Sequence, residues 1–398
     1  MFVKIVQQNS VYSGTQFRCI TCTAELSVQR NSVPLHNVYN GTQFRCIKIE
    51  LPEQRSGLHT MKILQNVSLL PFNTFGLDVK AEHFAEISSL EDLREGLRSG
   101  IHPIFLLGGG SNLLFTQNLQ GLVLKNLLRG IHVVREFKNK VWVEVGSGEV
   151  WHEFVLWAVA HDYGGVENMS LIPGTVGASP IQNIGAYGVE LKDVFVRLKA
   201  LNLTTGKLKN FNHDACQFGY RDSIFKREEK GKWCITSVVF TLTKNPHRLN
   251  TSYGDISKTL EANGISTPTI ADISRAVVQI RTSKLPDPAK IGNCGSFFKN
   301  PETERSVLEN IIITHPEVPH YPISDGRVKI PAGWLIEQCG WKGKRVGNTG
   351  SYGQQALVLV NYGGATGEEV KNLAHAIIES VEERFGLRLE AEVNMWPV

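Results

Sequence analysis

No apolar run in the 398 residues approaches the roughly 20 that a membrane-spanning helix needs. Polar residues interrupt every apolar stretch before Met61, so no secretory signal is expected and a cytoplasmic location is. Cysteine is sparse: the seven are scattered and odd in number, and Cys19 and Cys22 have no second pair at metal-site spacing. Neither a disulfide framework nor a metal site is expected. Basic runs and aromatic–basic interleaving are missing, and the net charge is only +4. Nucleic acid is therefore not an expected partner, although the slight positive balance suits an anionic substrate. A GxGxxG fingerprint is also lacking, so a Rossmann site is not indicated. What remains, 42% hydrophobic and 20% charged residues, is the make-up of a soluble globular chain. Its length allows two or three domains.

Residues 1–60 differ in texture from the rest. Val11 to Ile20 recurs at Val38 to Ile47 with one change, Ser13 against Asn40. Two copies are too few for a solenoid. A recent duplication explains the near-identity, and the segment is expected to be a disordered leader or a mis-assigned start, with Met61 an alternative first residue. After Met61 short strands alternate with helices, the pattern of an α/β or α+β chain. Lys80–Ile87, Pro103–Leu107 and Val141–Val145 read as strands. Ser88 with Glu91 reads as a capping box before a helix carrying Leu90, Leu93 and Leu97. Glu149–Ala160 reads as a helix with Trp151, Phe154, Val155 and Ala158 inward. Thr366 and Glu369 open another, with Val370, Leu373, Ile377 and Val381 facing a core.

Two glycine-rich loops carry the first chemical signal. Gly108-Gly109-Gly110-Ser111-Asn112 ends an apolar strand. Glycine lets the backbone approach a ligand closely, and successive N–H groups form an anion-binding nest. The second runs from Ile172 to Gly188, with four glycines among Ser, Thr, Gln and Asn and few charges. Such a loop suits a large, mostly uncharged ligand lying against backbone. Long ordered loops inside compact domains are usually functional.

Five motifs in order give the chain a family resemblance. They are Asn73-Thr74-Phe75-Gly76, the GGGSN loop, IPGTVGASPIQNIGAYG, Phe218-Gly219-Tyr220-Arg221-Asp222-Ser223-Ile224-Phe225-Lys226, and Gly295-Ser296-Phe297-Phe298-Lys299-Asn300-Pro301. From Leu69 to Val393 the chain resembles the UDP-N-acetylenolpyruvoylglucosamine reductases, in the longer subclass with a Tyr-Gly-Asp loop. The resemblance implies an α+β chain. Its FAD-binding fold, of the vanillyl-alcohol-oxidase type, lies in two subdomains, 61–129 and 130–285. A smaller α/β substrate-binding domain covers 286–386, and 387–398 returns to the active site. It implies NADPH as reductant, a UDP-sugar substrate and a monomer.

By resemblance, Gly108, Gly109, Gly110, Ser111 and Asn112 cradle the FAD diphosphate. Ile172, Pro173, Gly174, Thr175, Gly177 and Ala178 line the flavin, as do Ser179, Gln182, Asn183, Gly185, Ala186 and Gly188. Neither loop contains the histidine through which some relatives of this fold attach flavin, so non-covalent binding is expected.

The implied reaction sends hydride to one carbon of an enol ether conjugated to a carboxylate, and a proton to the neighbouring carbon. Arg221 suits the carboxylate, through two parallel bonds. Ser296 suits the proton donor. Glu392 matches the family's C-terminal acid, although Glu390, two residues away, would share its strand face. Tyr220, Tyr253, Lys284, Asn300 and Gln355 are further candidates for substrate contacts. One nucleotide site would serve both half-reactions. An FAD oxidase of the same fold, acting on a sugar or alcohol, is the alternative.

Overall fold

The apolar alternation at Lys80–Ile87 becomes an inner strand in a computed structural model of the chain, which describes residues 2–12, 15–25, 61–323 and 325–397. The chain divides into two compact units, Met1–Gly57 and Leu58–Val398. In the first, Phe2–Tyr12 and Thr15–Glu25 pair as an antiparallel hairpin, where no regular element was expected. Val, Ile and Thr, which suit a pleated backbone, recur along both strands. The second repeat copy lies outside the described residues.

The second unit starts with a four-stranded sheet in the order Leu64–Ser68, Lys80–Ile87, Leu119–Asn126, Ile104–Leu107. The first pair is antiparallel and the other two are parallel. Helix Leu90–Arg98 links two of these strands. Its cap sits one residue later than the sequence reading placed it: Ser89 accepts from Asp92 N–H, and Asp92 accepts from Ser89 N–H. The Asp92 carboxylate also takes the Ser88 N–H and hydroxyl at 2.8 and 2.9 Å. The shorter acid thus gathers both serines, and Glu91 is left to Arg94 and Arg98 on the surface.

A five-stranded antiparallel sheet follows, in the order Leu208–Asn212, Phe195–Asn202, Trp233–Thr243, Lys140–Gly146, Ile131–Glu136. Helix Trp151–Ala160 buries Trp151, Phe154, Val155 and Ala158 in the same core as this sheet, the face the sequence assigned. Beyond the helices Gly254–Ala262 and Ile270–Lys284 lies a second antiparallel sheet, Gly292–Ser296, Val358–Asn361, Thr349–Ser351 and Arg345–Val346. Helix Gly367–Phe385 shares its core through Val370, Leu373, Ile377 and Val381 and starts at the expected Thr366–Glu369 capping box.

The largest core cluster joins residues 69–123 to residues 294–393. The Asn73–Gly76 motif is the joint. Asn73 ties its own turn through Leu69 O and Leu77 O, at 2.8 and 2.9 Å. Thr74 O accepts from Asn293 N–H at 2.9 Å, and Asn361 donates to Phe75 O at 3.0 Å. The last strand, Asn394–Trp396, pairs in parallel with Leu113–Phe115, so the C-terminus comes back beside the GGGSN loop. Among the described residues no helix is long and apolar enough to cross a membrane.

Candidate active site

Glycine at two facing positions lets the two loops meet. A Cβ on Gly109 would stand 2.8 Å from Gly174 Cα, closer than real Cβ atoms come. Gly174 itself has φ +107°, where L side chains are strained. Among the described residues, the N–H groups of Gly109, Gly110, Ser111 and Asn112 donate to no protein acceptor. The buried Thr175 hydroxyl between the loops also lacks a partner. Four free amides beside an orphaned hydroxyl fit the oxygens of a dinucleotide diphosphate.

Other loop residues are held by the protein. Asn183 is fully buried and donates to Gly219 O at 2.9 Å while accepting from Lys192 N–H. Ser179 donates to Val176 O. Gln182 accepts from Asn112 at 3.0 Å, and Asn112 also donates to Glu392 O at 3.2 Å. Asn112 therefore links both glycine loops to the C-terminal segment.

Arg221, Glu392 and Ser296 come together at this link. Arg221 has φ +52° in a tight turn closed by the Gly219–Asp222 bridge. Its Nη2 donates to Gly185 O at 2.6 Å, and its Nε lies 3.6 Å from Glu392 Oε1. Asp222 is occupied by Arg227, which leaves Arg221 to the site. Glu392 N–H donates to Phe297 O at 2.8 Å, which sets the carboxylate next to the Ser296 segment. Ser296 ends its strand exposed, and its hydroxyl has no partner among the described residues. Gly295 before it has φ +74° and open space around its Cα, so it serves a bulge in the strand rather than a close approach.

Burial distinguishes the two C-terminal acids. The Glu390 side chain is 74% exposed and pairs with Lys299, whereas Glu392 is 13% exposed. The two flank the isolated bridge Phe298 to Ala391, and Lys226 and Lys299 interact with both. Burial raises the Glu392 pKa above the usual carboxylate range, and the cations Arg221, Lys226 and Lys299 pull it back.

The remaining candidates form two groups. The Tyr220 hydroxyl, whose pKa burial raises, lies beside Asn300. Asn300 accepts from Ala332 N–H at the start of helix Ala332–Gln338. Gln355 packs at the same helix start, against Gly333. Tyr253 is half exposed at the start of helix Gly254–Ala262, edge-on to Tyr187. Lys284 pairs with Asp255 of that helix.

Sequence reasoning passed over three cations: Lys226 and Lys299 beside Glu392, and Arg281. Burial lowers the pKa of Lys226 and of Arg281. Arg281 contacts Tyr187 and feels Arg221, and its Nε is buried without a partner. Its only sequence signal is a charge one residue after Ile280, on a helix whose inward positions are otherwise apolar or serine.

Comparison with known proteins matches this architecture. Residues 83–212 match a family model described as FAD binding domain. Residues 287–396 match one described as UDP-N-acetylenolpyruvoylglucosamine reductase, C-terminal domain. The reductase of that name from Flavobacterium johnsoniae is 51% identical over 336 residues, which span 84% of this chain and all of that protein. The one from Pseudomonas aeruginosa is 48% identical over 340 residues, 85% of this chain and again its whole length. A crystal structure of the Thermus caldophilus enzyme superimposes with a TM-score of 0.61 at 22% identity, over 85% of this chain and all of that one. The fold is thus the expected α+β, FAD-binding type, and the chain belongs to the UDP-N-acetylenolpyruvoylglucosamine reductase family of FAD-containing oxidoreductases.

Proposed function

We propose that this chain uses NADPH and non-covalent FAD to reduce UDP-N-acetylenolpyruvoylglucosamine to UDP-N-acetylmuramate, in cytoplasmic synthesis of peptidoglycan precursors, as a monomer. The observation that carries this reading is the convergence of Arg221, Glu392 and the Ser296 segment where both glycine loops meet the returning C-terminus.

The amides of Gly109–Asn112 and the Thr175 hydroxyl would hold the dinucleotide. When bound, flavin supplies hydride to the outer carbon of the enolpyruvyl double bond. Negative charge then spreads toward the substrate carboxylate. Arg221 meets it: Nη1 has no partner among the described residues, and the guanidinium is held by Gly185 O and Glu392. Charge that grows in the transition state gains most from such a fixed cation. The Ser296 hydroxyl gives its proton to the inner carbon. Glu392, with Arg221, Lys226 and Lys299 around its carboxylate, would orient the group and relay the replacement proton. Tyr253, Lys284, Asn300 and Gln355 would hold the UDP-sugar, and Tyr220 would flank its carboxylate beside Arg221.

An anaerobic titration tests the reading. NADPH is expected to bleach the yellow protein, and the enolpyruvyl sugar nucleotide to restore the colour with one equivalent of UDP-N-acetylmuramate. Restoration by oxygen alone would favour the oxidase. Acid precipitation is expected to leave the chromophore in the supernatant. Gly109→Ala forces Cβ against Gly174, so that variant is expected to shed most of its FAD on gel filtration; full retention would remove these loops from the cofactor site.

Residues 1–60 are proposed to be dispensable. Met61 is itself buried, and its N–H donates to Glu95 at 2.8 Å. A chain starting at Met61 is expected to match full length in flavin content, melting temperature and turnover. A fall in melting of several degrees would make the leader a structural element.

A further inference from the structure

Lys329 lies in a three-stranded ribbon formed by Glu302–Thr303, Val328–Lys329 and Tyr321–Pro322. Its ammonium stands 3.2 Å from the centroid of the Tyr220 ring. Glu302, its cross-strand partner, holds the same ammonium at 3.2 Å. The Arg221 guanidinium lies 5.3 Å from that ring. Asn300, two residues before Glu302, lies beside the Tyr220 hydroxyl. One short segment and its partner strand thus flank Tyr220 at its ring and its hydroxyl.

Tyr220 immediately precedes Arg221, whose φ of +52° an L residue seldom adopts. Such a conformation persists only where its surroundings fix it. On one side the turn is fixed by the Gly219–Asp222 bridge and by Asn183, which donates to Gly219 O. On the other side it is fixed through the Tyr220 ring. A cation against an aromatic face is attracted by the ring quadrupole, the more so when partly desolvated. The Lys329 side chain is only 18% exposed, and Glu302 offsets its charge.

We propose that Lys329, seated by Glu302, is a positioning residue for Arg221: through the Tyr220 ring it sets the guanidinium where the substrate carboxylate is met. This rests on the reductase reading, because only that reading supplies the carboxylate.

Binding to the oxidised, FAD-loaded enzyme tests it by calorimetry. UDP-N-acetylmuramate carries the carboxylate, and UDP-N-acetylglucosamine is the same sugar nucleotide without the lactyl ether. Lys329→Met keeps the stem and loses the charge. It is expected to weaken the first ligand about tenfold, the size of a partly buried cation–π contact, and to leave the second unchanged. Lys329→Arg is expected to retain the preference. In an Arg221→Lys background, Lys329→Met is expected to add nothing, because coupled residues are non-additive. Equal weakening of both ligands, or an undiminished loss in the Arg221→Lys background, overturns the role. If Lys329→Met does not fold, Glu302→Gln, which unseats the ammonium, is read by the same criteria. A wild-type enzyme that does not prefer the carboxylate ligand sinks the reductase reading. A preference that Lys329→Met leaves intact sinks only the role of Lys329.

Discussion

Replacing Ser296 by Ala is expected to slow the substrate half-reaction by roughly 10²–10⁴-fold, the usual contribution of one placed proton donor. The half-reaction with NADPH is expected to stay within a few-fold of wild type. The reason lies in what Ser296 does not touch. Its hydroxyl is exposed and bonds no described residue, so the substitution removes an oxygen without leaving a buried group unpaired. Melting temperature and flavin content are therefore expected to hold. Hydride delivery to the flavin needs no proton from the protein at the substrate carbon, so it is insulated from the change. Rapid mixing of NADPH-treated variant with the enolpyruvyl sugar nucleotide reads the first rate, and mixing of oxidised variant with NADPH reads the second. Equal slowing of both would make Ser296 a strand residue with no proton to give.

Much of this site was legible because its signals are local. Glycine pairs that let backbones meet, such as Gly109 and Gly174, leave a mark in sequence that does not depend on fold. The Thr366–Glu369 cap and the inward stripe of Trp151, Phe154, Val155 and Ala158 are equally local, and the structure places them as read. The Ser88 cap moved by one residue because two serines and two acids stand in succession, and only the geometry of Asp92 decides among them. What sequence leaves unread is the contact that spans hundreds of residues. Asn112 bonds both Gln182 and Glu392 O. Lys226 and Lys299 look like solvated charges until the fold sets them around Glu392.

Glu392→Gln is expected to lower turnover in the substrate half-reaction by roughly 10²–10³-fold, the scale of a lost, preorganised polar contact at developing charge. Arg221→Lys is expected to do nearly as much harm, because an ammonium keeps the charge but cannot hold Gly185 O and Glu392 while presenting a planar edge to a carboxylate. The pH profile separates the two parts of the Arg221 role. Burial pushes the Glu392 carboxyl up, and Arg221 is the first of the cations that draw it down. Removing that charge with Arg221→Met leaves desolvation less opposed, so the carboxyl pKa rises further. A carboxylate needed for orientation or relay is then lost at a higher pH, and the acid limb of the saturated substrate half-reaction moves to the alkaline side. Arg221→Lys keeps the charge, so its limb stays near that of wild type although its rate is low. Glu392→Gln removes the titrating group, and the limb disappears. An acid limb that moves to lower pH in Arg221→Met, or that survives in Glu392→Gln, would assign it to another group. Near-normal turnover in Glu392→Gln would rule out the acid altogether, since the exposed Glu390 is already committed to Lys299.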